Sequence, residues 1–369
     1  MSKYQITLIP VDKFFFGGDM TFQVGSNEND DFNSQYKSYI IQSSMFPQQT
    51  SLLGMLRFLI LRNAGNSVFK DGQIVDHAKA KELIGGRSFM VNIDNDFKAI
   101  KSLSHVRVRR ILNGQTADLE FAPLFKELTF NDASLGSYNL HDISIPPLTK
   151  DEYDAKEGLS VRLTDGLTDV RLEEDAEDEE KDFVFVKDHR VGIDRDIRTG
   201  IVDDGALFKQ ISYRFNNKES RYCFVFEAEI DEKVPFESYN GQVVTVGGDN
   251  SQFVIGITKD VTLNNKIRSY DKSLYLLSPT FLTRSEAMKA KFAVTRLMPF
   301  RFLTDRKDNK EGDNRTFHIL NSKLERSKRY ELYAPGSVFY FDDITQKEEF
   351  IKIIESKKEF RQIGYNEYK

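Results

Sequence analysis

The segment from Phe46 to Arg62 constrains the fold most, because it joins a loop that ends at a proline to the pattern of an amphipathic helix. Thr50 or Ser51 is expected to cap the first free backbone N–H groups of a helix that runs to about Arg62. One side of this helix is apolar and is expected to face a core: Leu52, Leu53, Met55, Leu56, Leu59 and Ile60. The rest of the chain must therefore supply a core for the helix to pack against.

The opposite side of this helix carries Gly54, Arg57 and Leu61. A glycine inside a helix costs about 1 kcal/mol relative to alanine, which suggests that a backbone or a ligand approaches it closely. Free N–H groups at a helix start, with an arginine one turn on, suit a phosphate. Two interpretations stay open for this segment alone: a phosphate site formed by Thr50, Ser51, Gly54 and Arg57, or a core helix with a tolerated glycine.

The bulk composition is that of a soluble globular protein. The 369 residues are 40% hydrophobic, 12% aromatic and 30% charged, and the length allows two domains. No apolar run approaches the roughly 20 residues that a membrane span needs, and the first residues lack a secretory signal pattern. The single cysteine, Cys223, is expected to be a small buried hydrophobic residue. A cytoplasmic protein with no membrane association is therefore expected.

The net charge of −5 hides a strong segregation of charge. Residues 151–182 hold 14 acidic and 4 basic residues, whereas residues 284–330 hold 13 basic and 6 acidic residues. Seven of the eight residues at 173–180 are acidic, which predicts a solvated loop. Because the local field governs binding, the acidic overall charge does not exclude a nucleic-acid partner.

Strand patterns and helix patterns alternate along the chain. In the first half, a strand at residues 4–10 ends at a proline, and two strong strands, Leu207–Phe215 and Tyr222–Ile230, are joined by a turn at 216–219. In the second half, strands are expected at Gln242–Val246, Phe253–Ile257, Ser273–Leu277 and Ser337–Phe341, and helices at Ser285–Val294 and Gln346–Phe360. This mixture predicts an α+β fold rather than a βαβ dinucleotide-binding fold.

The α+β pattern fits two tandem ferredoxin-like domains of the RNA-recognition-motif type. The first domain is expected at residues 1–235, with a long insertion at about 64–187 that contains the acidic loop 173–180. The second domain is expected at residues 236–369.

Two basic segments are candidate binding sites. Residues 104–110 alternate so that His105, Arg107 and Arg109 share one face, which predicts a half-buried strand with a basic outer face. The second segment, residues 189–208, is turn-rich and holds His189, Arg190, Gly192, Arg195 and Arg198. Arginine can bind phosphates bidentately, and glycine allows the backbone to approach a ligand. The alternative for this segment is an ordinary charged hairpin in which Asp194 and Asp196 pair with the arginines.

Motifs for metal binding or catalysis are lacking. The five histidines are scattered, and the sequence has no metal-ligand spacing, no P-loop and no Gly-x-Ser-x-Gly element. Two glycine turns, Gly247-Gly248 and Gly336-Ser337, are weak signals individually. No cofactor or metal ion is therefore expected.

Six segments of the chain, taken in order, resemble the RAMP superfamily of CRISPR proteins and most closely the third subunit of the Cmr (type III-B) effector complex. These segments are Phe16-Gly17-Gly18, Phe46–Arg57, Arg190–Asp194 with Gly205–Phe208, Gly247-Gly248-Asp249, Leu274–Pro279 and Pro335–Phe341. The chain departs from the family in having no tryptophan, since Arg296–Leu303 occupies the place of a Gly-Trp-Asp element. The family's C-terminal glycine-rich loop is reduced to residues 363–366.

The resemblance implies two ferredoxin-like domains and a non-catalytic role. Such subunits hold the 5′ tag of the CRISPR RNA and dock against the large polymerase/cyclase-like Cmr subunit two and the backbone Cmr subunit four. Single-stranded RNA is held by basic grooves, backbone N–H groups and aromatic side chains. The expected RNA-binding residues are Thr50, Ser51, Gly54, Arg57, His105, Arg107, Arg109, His189, Arg190, Gly192, Arg195, Arg198, Gly247, Gly248, Gly336 and Ser337.

Two other functions remain open from the sequence. A metal-independent endoribonuclease that processes precursor CRISPR RNA would need a general acid or base near a 2′-hydroxyl, for which His189 and His105 are the candidates. A protein-binding scaffold would use its basic patches to meet an acidic partner surface.

Overall fold

The computed structural model of the protein describes residues 1–17, 20–21, 39–86, 88–93, 95–124, 129–130, 143–144, 153–154, 158–173, 183–195, 198–199, 202–260, 272–305 and 324–369. Strands dominate and helices are few, which confirms the predicted α+β class. The helices are α1 (Gln49–Arg62), α2 (His77–Ile84), α3 (Arg284–Ala287), α4 (Ile344–Ser356) and α5 (Lys358–Gln362), with a 3₁₀ helix at Phe236–Tyr239.

The strands are numbered in chain order. They are β1 (Ser2–Pro10), β2 (Met20–Thr21), β3 (Tyr39–Gln42), β4 (Phe69–Lys70), β5 (Gln73–Ile74), β6 (Ile100–Leu103), β7 (Arg107–Leu112), β8 (Gln115–Phe121), β9 (Thr129–Phe130), β10 (Ile143–Ser144), β11 (Tyr153–Asp154), β12 (Gly158–Leu159), β13 (Arg162–Thr164), β14 (Asp169–Glu173), β15 (Phe183–Arg195), β16 (Val202–Phe215), β17 (Arg221–Ile230), β18 (Val243–Thr245), β19 (Gln252–Lys259), β20 (Ser273–Tyr275), β21 (Phe292–Val294), β22 (Leu297–Phe300), β23 (Leu303–Asp305), β24 (Leu324–Arg326), β25 (Tyr330–Tyr333) and β26 (Val338–Tyr340).

The first half of the chain forms one large curled sheet. Its strand order is β18-β19-β1-β17-β7-β8-β13-β14-β15-β16-β3-β2, with β6 also paired to β17. Toward one end of the sheet lie β19, β1, β17 and β7, and each neighbouring pair among them is antiparallel. In the chain these four strands occur in the order β1, β7, β17, β19. If they are numbered 1 to 4 in that order, their order in the sheet is 4-1-3-2. Helix α1 lies between the first and second of them in the chain and shares their buried core.

The two strands at 243–259 belong to this first sheet. The sequence pattern assigned them to a second αβ unit, but β19 pairs with β1 over seven residues, and β18 pairs with β19. The pattern identified strands correctly and assigned them to the wrong sheet, because alternation reports burial on one face and not the partner strand.

A smaller sheet repeats the same strand order in the second half. Strand β26 lies between β20 and β21, and both pairings are antiparallel. On the other side of β20, Tyr275 and Lys369 exchange two backbone hydrogen bonds of 2.9 Å, and Leu277 N–H donates to the Glu367 carbonyl at 2.9 Å. The last residues thus act as a fourth strand, and the order is again 4-1-3-2. Helix α4 covers one face through Phe350 and Ile354.

Two predicted helices differ from the observed ones. The pattern at Ser285–Val294 folds as the short helix α3, with a capping box at Thr283 and Glu286, followed by β21. The pattern at Gln346–Phe360 divides into α4 and α5 at Lys357, whose backbone is not helical.

The long hairpin β15–β16 leaves the curled sheet beside β1. Strand β16 pairs with β15 and β3. The two strong strands predicted at 207–215 and 222–230 are therefore consecutive in the chain, but they do not pair with each other in the sheet. Phe14, just after β1, exchanges backbone hydrogen bonds with Tyr213 of β16, at 2.8 and 3.0 Å. The sheet therefore curls until its two ends approach each other. Rings of Phe14, Phe185, Phe215 and Phe224 pack in the space enclosed.

The start of the predicted acidic loop is a strand. Glu173 ends β14, and its carboxylate accepts a hydrogen bond of 2.7 Å from the Tyr213 hydroxyl. Residues 174–180 lie outside the described residues. The predicted solvated loop therefore cannot begin before residue 174.

Candidate RNA-binding surface

Two glycine-containing motifs from distant parts of the chain meet at the end of β1. Gly247 has φ +88°, and a Cβ atom there would lie 2.4 Å from the Phe15 carbonyl oxygen. Gly248 N–H donates to the same carbonyl at 2.7 Å, and Phe15 N–H donates to Ser251 Oγ at 2.9 Å. Only a residue without a side chain fits at 247, because both the space and the backbone angle exclude a Cβ atom.

The base of the β15–β16 hairpin joins this glycine turn. Gln210 of β16 hydrogen-bonds through its side chain to Asp249, and Lys13 Nζ lies 2.7 Å from Asp188 Oδ1 on β15. Arg190 is opposite Gln210 in the strand register, so both side chains are on one face of the hairpin. The structure thus brings together Gly247, Gly248 and Arg190, three of the predicted residues.

The same strand register gives the positions of the remaining predicted residues of the hairpin. His189 is exposed and opposite Ile211, and Gly192 is half-buried and opposite Phe208. Arg195 pairs with Val202 through the backbone, but its side chain lies outside the described residues. Arg198 is exposed in a turn near the tip. The predicted hairpin is confirmed, and most of the predicted loop is regular strand.

The start of helix α1 differs from the prediction: Gln49 is buried, and Thr50 and Ser51 are half-buried. The N-cap is Gln48, and neither Thr50 nor Ser51 caps the helix. Instead, the Gln49 side chain donates to the carbonyls of Ser104 (2.9 Å) and Gly364 (3.0 Å). The phenol of the fully buried Tyr365 also approaches this helix start, and burial raises the pKa of that phenol. The helix start is thus covered by the C-terminal segment rather than open to a phosphate.

Arg57 is also buried, although the sequence placed it on the exposed side of the helix. Its guanidinium donates to the Gly85 carbonyl at 3.3 Å and stacks over the Phe97 ring at 5.8 Å. Burial lowers the pKa of Arg57 to about 10. Leu61 is buried too, whereas Gly54 is exposed and an added Cβ atom there would meet nothing within 4 Å. This placement argues against a phosphate contact by Arg57.

The predicted basic face at 104–110 is neutralised by carboxylates of neighbouring strands. Arg107 is buried and lies 3.2 Å from Glu227 of β17. Arg109 forms a bidentate pair with Asp118 of β8, at 2.6 and 2.9 Å. Glu227 is 120 residues from Arg107, and Asp118 lies on the strand that follows β7, so the alternation within residues 104–110 alone could not reveal either partner. The strand is half-buried as predicted, but its arginines form ion pairs rather than a free basic surface.

His105 precedes the strand rather than belonging to it, and it is buried beside a carboxylate. Its Nε2 lies 3.8 Å from Oε1 of Glu120, and Lys369 Nζ lies 2.6 Å from the other oxygen of Glu120. Burial raises the pKa of Glu120, but hydrogen bonds and charge interactions with His105 and Lys369 outweigh this and lower it to about 2. Glu120 is therefore a buried carboxylate at neutral pH, held between the two halves of the chain.

The turn at Gly336 and Ser337 is structural in this chain. Gly336 has φ +84°, and a Cβ atom there would lie 2.8 Å from the Ala122 carbonyl oxygen. Leu124 N–H donates to the Gly336 carbonyl at 2.8 Å, and Ser337 is fully buried. The turn joins the second half to the end of β8, so it does not belong to the exposed surface.

Sequence reasoning missed Lys13, Ser43 and Gln210. Ser43 Oγ accepts from Phe16 N–H at 2.8 Å and so fixes the chain next to the glycine turn. Each of these residues acts across a long sequence separation, and none carries a local motif. In the described part of the chain no group of His, Cys, Asp and Glu could hold a metal ion. Within the same residues, no helix is long and apolar enough to cross a bilayer.

Comparison with known proteins identifies a matching family and similar structures. A family model described as CRISPR-associated protein (Cas_Cmr3) matches residues 6–368. A chain in a cryo-EM structure of the type III-B Cmr-beta complex bound to cognate target RNA is 14% identical, with a TM-score of 0.52, and the match covers 99% of this chain and 96% of that chain. A chain in the structure of Cmr-beta bound to cognate target RNA and AMPPnP, state 1, is 13% identical with a TM-score of 0.48, covering 98% and 94%. No curated protein matches the chain. At this identity, the first structural likeness concerns the fold alone.

Proposed function

The chain belongs to the Cas_Cmr3 family of CRISPR-associated proteins, and we propose that it is the third, RAMP-type subunit of a type III-B effector complex. In this role it binds the 5′ tag of the CRISPR RNA in the cytoplasm and contributes to antiviral defence without catalysing a reaction. It docks against the large polymerase/cyclase-like subunit two and the backbone subunit four. The family match over nearly the whole chain is the observation that carries this proposal.

The surface at the base of the hairpin supports RNA binding. We define this tag surface by Arg190, Gly247 and Gly248. Arg190 supplies an exposed guanidinium that can bind a phosphate with two parallel hydrogen bonds. His189 is exposed on the other face of the same strand and can stack on a base. Gly247 is exposed and Gly248 is half-buried, so a ribose or phosphate can approach the backbone of the glycine turn from solvent.

The repeated strand order supports two ferredoxin-like domains. In a β-α-β-β-α-β fold, the strand that follows the first helix ends at the sheet edge, with the third strand between it and the first. Both sheets have this 4-1-3-2 order. In the first sheet the second helix is reduced to the 3₁₀ turn at Phe236–Tyr239. Under this interpretation the first unit extends to Lys259, and residues 64–187 contribute strands to its sheet.

A binding assay tests the tag proposal. The purified full chain is titrated with a labelled RNA that carries the tag and with an RNA of the same length and composition in scrambled order. Arg190→Ala is expected to weaken tag binding by about 10-fold, as for one charged hydrogen bond lost, with an unchanged melting temperature. Arg221→Ala, an exposed arginine at the start of β17, is the matched control and should bind normally.

The opposite result has a clear meaning. If Arg190→Ala lowers the melting temperature and leaves RNA affinity unchanged, the arginine has a structural role, as in the charged-hairpin interpretation. If tag and scrambled RNA bind equally, the chain does not read the tag.

The endoribonuclease alternative is disfavoured by the burial of His105 beside Glu120. His189 is exposed and remains the candidate general base. Incubation of the pure protein with precursor CRISPR RNA in EDTA decides between the two functions. Specific cleavage that is lost in His189→Ala would overturn the non-catalytic proposal.

A scaffold role predicts binding only to protein. A photoreactive nucleotide placed in the tag should crosslink to the β15–β16 hairpin within the assembled complex. Crosslinks to other subunits only, together with retained co-purification with subunits two and four, would favour the scaffold.

A further inference from the structure

The excess of basic residues at 284–330 is not used by the tag surface. In the described part of this region, β22 pairs with β25, and β23 pairs with β24. The two ladders continue each other, since Ser327 N–H donates to the Phe302 carbonyl at 2.8 Å between them. The result is one two-stranded arm, formed by residues 297–305 and 324–333.

Alternation along this arm separates an apolar face from a cationic face. Phe300, Phe302 and Leu332 are buried, and the two phenylalanine rings pack against Phe89. Arg301 lies between the two buried phenylalanines in the chain, so its side chain points to the opposite, solvent-facing side. The buried face fixes the strands, and the outer face is therefore presented by a rigid support.

Four exposed cations lie along this arm, and we call them the basic arm: Arg301, Arg326, Lys328 and Arg329. Lys328 Nζ also lies 5.1 Å from the centroid of the Tyr330 ring. Leu303, directly opposite Arg326, is 54% exposed beside them. Within the described residues, none of the four cations forms an ion pair, whereas the arginines of β7 are all paired with carboxylates. The fold pairs the arginines of β7 with carboxylates but leaves these four cations without a carboxylate partner among the described residues, so their charge can bind a polyanion.

We propose that the basic arm binds the phosphate backbone of single-stranded RNA without regard to sequence, as a second contact apart from the tag surface. Three of the four cations are arginines, whose guanidinium groups present a planar fork of donors that matches phosphate oxygens. A row of cations on a strand surface follows a backbone and reads no base edge. The choice of RNA as the polyanion rests on the proposed function, while the site itself rests on the arm's charge and geometry.

The salt dependence of binding tests the proposal. The full-length chain is titrated with a labelled oligouridylate that carries no tag, at several salt concentrations. For single strands, each phosphate contact contributes about 0.7 to the slope of log K against log [salt], so four contacts contribute about 3. A variant with all four cations replaced by alanine is expected to lose about 3 units of slope and most of its affinity at low salt.

Two matched variants make the result specific. Replacing four exposed lysines elsewhere (Lys70, Lys218, Lys233 and Lys352) by alanine removes the same charge and should leave the slope nearly unchanged. Replacing the three arginines of the arm by lysine keeps the charge and should keep the slope. Equal losses in both alanine variants would overturn the proposal, because the effect would then be one of net charge.

The remaining outcomes separate this proposal from tag recognition. Discrimination between tag and scrambled RNA should persist in the four-alanine variant of the arm, whereas Arg190→Ala should weaken binding of the tag RNA and keep the arm's share of the slope. If polyglutamate does not displace oligouridylate from the unmodified chain, and the four-alanine variant of the arm loses oligouridylate binding, a nucleic acid is the partner. If the arm variant binds oligouridylate normally but loses polyglutamate, an acidic protein is the partner and the proposal fails.

Discussion

At the scale of single residues, Gly54 is a position where stability and binding make opposite demands. It lies on the exposed side of α1, and among the described residues nothing comes within 4 Å of an added Cβ atom. A glycine inside a helix leaves more backbone freedom in the unfolded chain than alanine does. The free chain therefore gains nothing from this glycine, and a partner that approaches the helix closely would be its physical reason.

Gly54→Ala tests this reasoning. We expect it to raise the free energy of unfolding of the isolated chain by about 1 kcal/mol, because alanine is the better helix former and meets no neighbour. If a partner backbone lies against this position, the same variant should assemble less well with the other subunits. A loss of stability in the isolated chain would contradict the open space seen beside the helix.

Arg57 gives the contrasting case, and its replacement should affect stability rather than RNA binding. Arg57→Ala removes the hydrogen bond to the Gly85 carbonyl and the stacking over Phe97, so we expect it to lower the free energy of unfolding by about 2 kcal/mol. Chemical denaturation measures this loss. Arg62→Ala, at the exposed end of the same helix, removes solvent-exposed hydrogen bonds to Gln242 and Val243 and should cost less, about 1 kcal/mol. If Arg57→Ala reduced the slope of log K against log [salt] for RNA binding, this would support the phosphate contact that the sequence suggested.

At the scale of elements, the turn at 247–248 couples β1 to the hairpin. Gly247→Ala should destabilise the chain by about 2 kcal/mol or more, since it combines a positive φ angle with a Cβ atom 2.4 Å from the Phe15 carbonyl. Gly241→Ala is the matched control, because Gly241 has φ +81° but a Cβ atom there would meet nothing within 4 Å. Thermal unfolding of the two variants should therefore separate steric cost from backbone strain. Equal losses would mean that the close approach at 247 contributes nothing.

The elements also show what the sequence could predict. Periodicity identified α1, β1, β17 and β26 because each buries one face, and burial leaves a local pattern. It could not assign β19 to β1, or Arg107 of β7 to Glu227, because strand partners that are distant in the sequence are set by the whole chain. Of the candidate site, the hairpin was predictable from its density of arginine and glycine. The buried state of Arg57 was not, since Gly85 and Phe97 cover it from outside the helix.

At the scale of the whole molecule, a small set of polar contacts links the two halves. Lys369 reaches Glu120 of the first sheet, Gln362 Nε2 donates to the Lys101 carbonyl at 3.1 Å, and Gln49 Nε2 donates to the Gly364 carbonyl at 3.0 Å. Buried polar atoms of this kind cost free energy unless they are paired, so they favour one arrangement of the two sheets over others.

The Glu120 carboxylate makes this link sensitive to acid. Its pKa falls from an ordinary 4.5 to about 2 in the folded chain, so its contribution to stability is present above about pH 4.5 and is lost as the pH falls toward 2. Glu120→Gln should lower the free energy of unfolding at pH 7 by about 3 kcal/mol, because it leaves Lys369 without its charge partner. It should also flatten the fall in stability between about pH 4.5 and 2. Denaturant titrations of both proteins across this range measure the difference, and parallel pH curves would contradict the assignment.

The position of β1 in the curled sheet has a consequence for synthesis on the ribosome. Its two ladder partners are β17 and β19, and the second of these ends at Lys259. At translation rates of roughly 5–20 residues per second, the first strand waits on the order of 10–50 s before its last partner has been made. Through that interval Ile6 and Leu8, both fully buried in the folded chain, have no sheet to cover them. The nascent chain must therefore be protected from aggregation at its very beginning until most of the protein has left the ribosome.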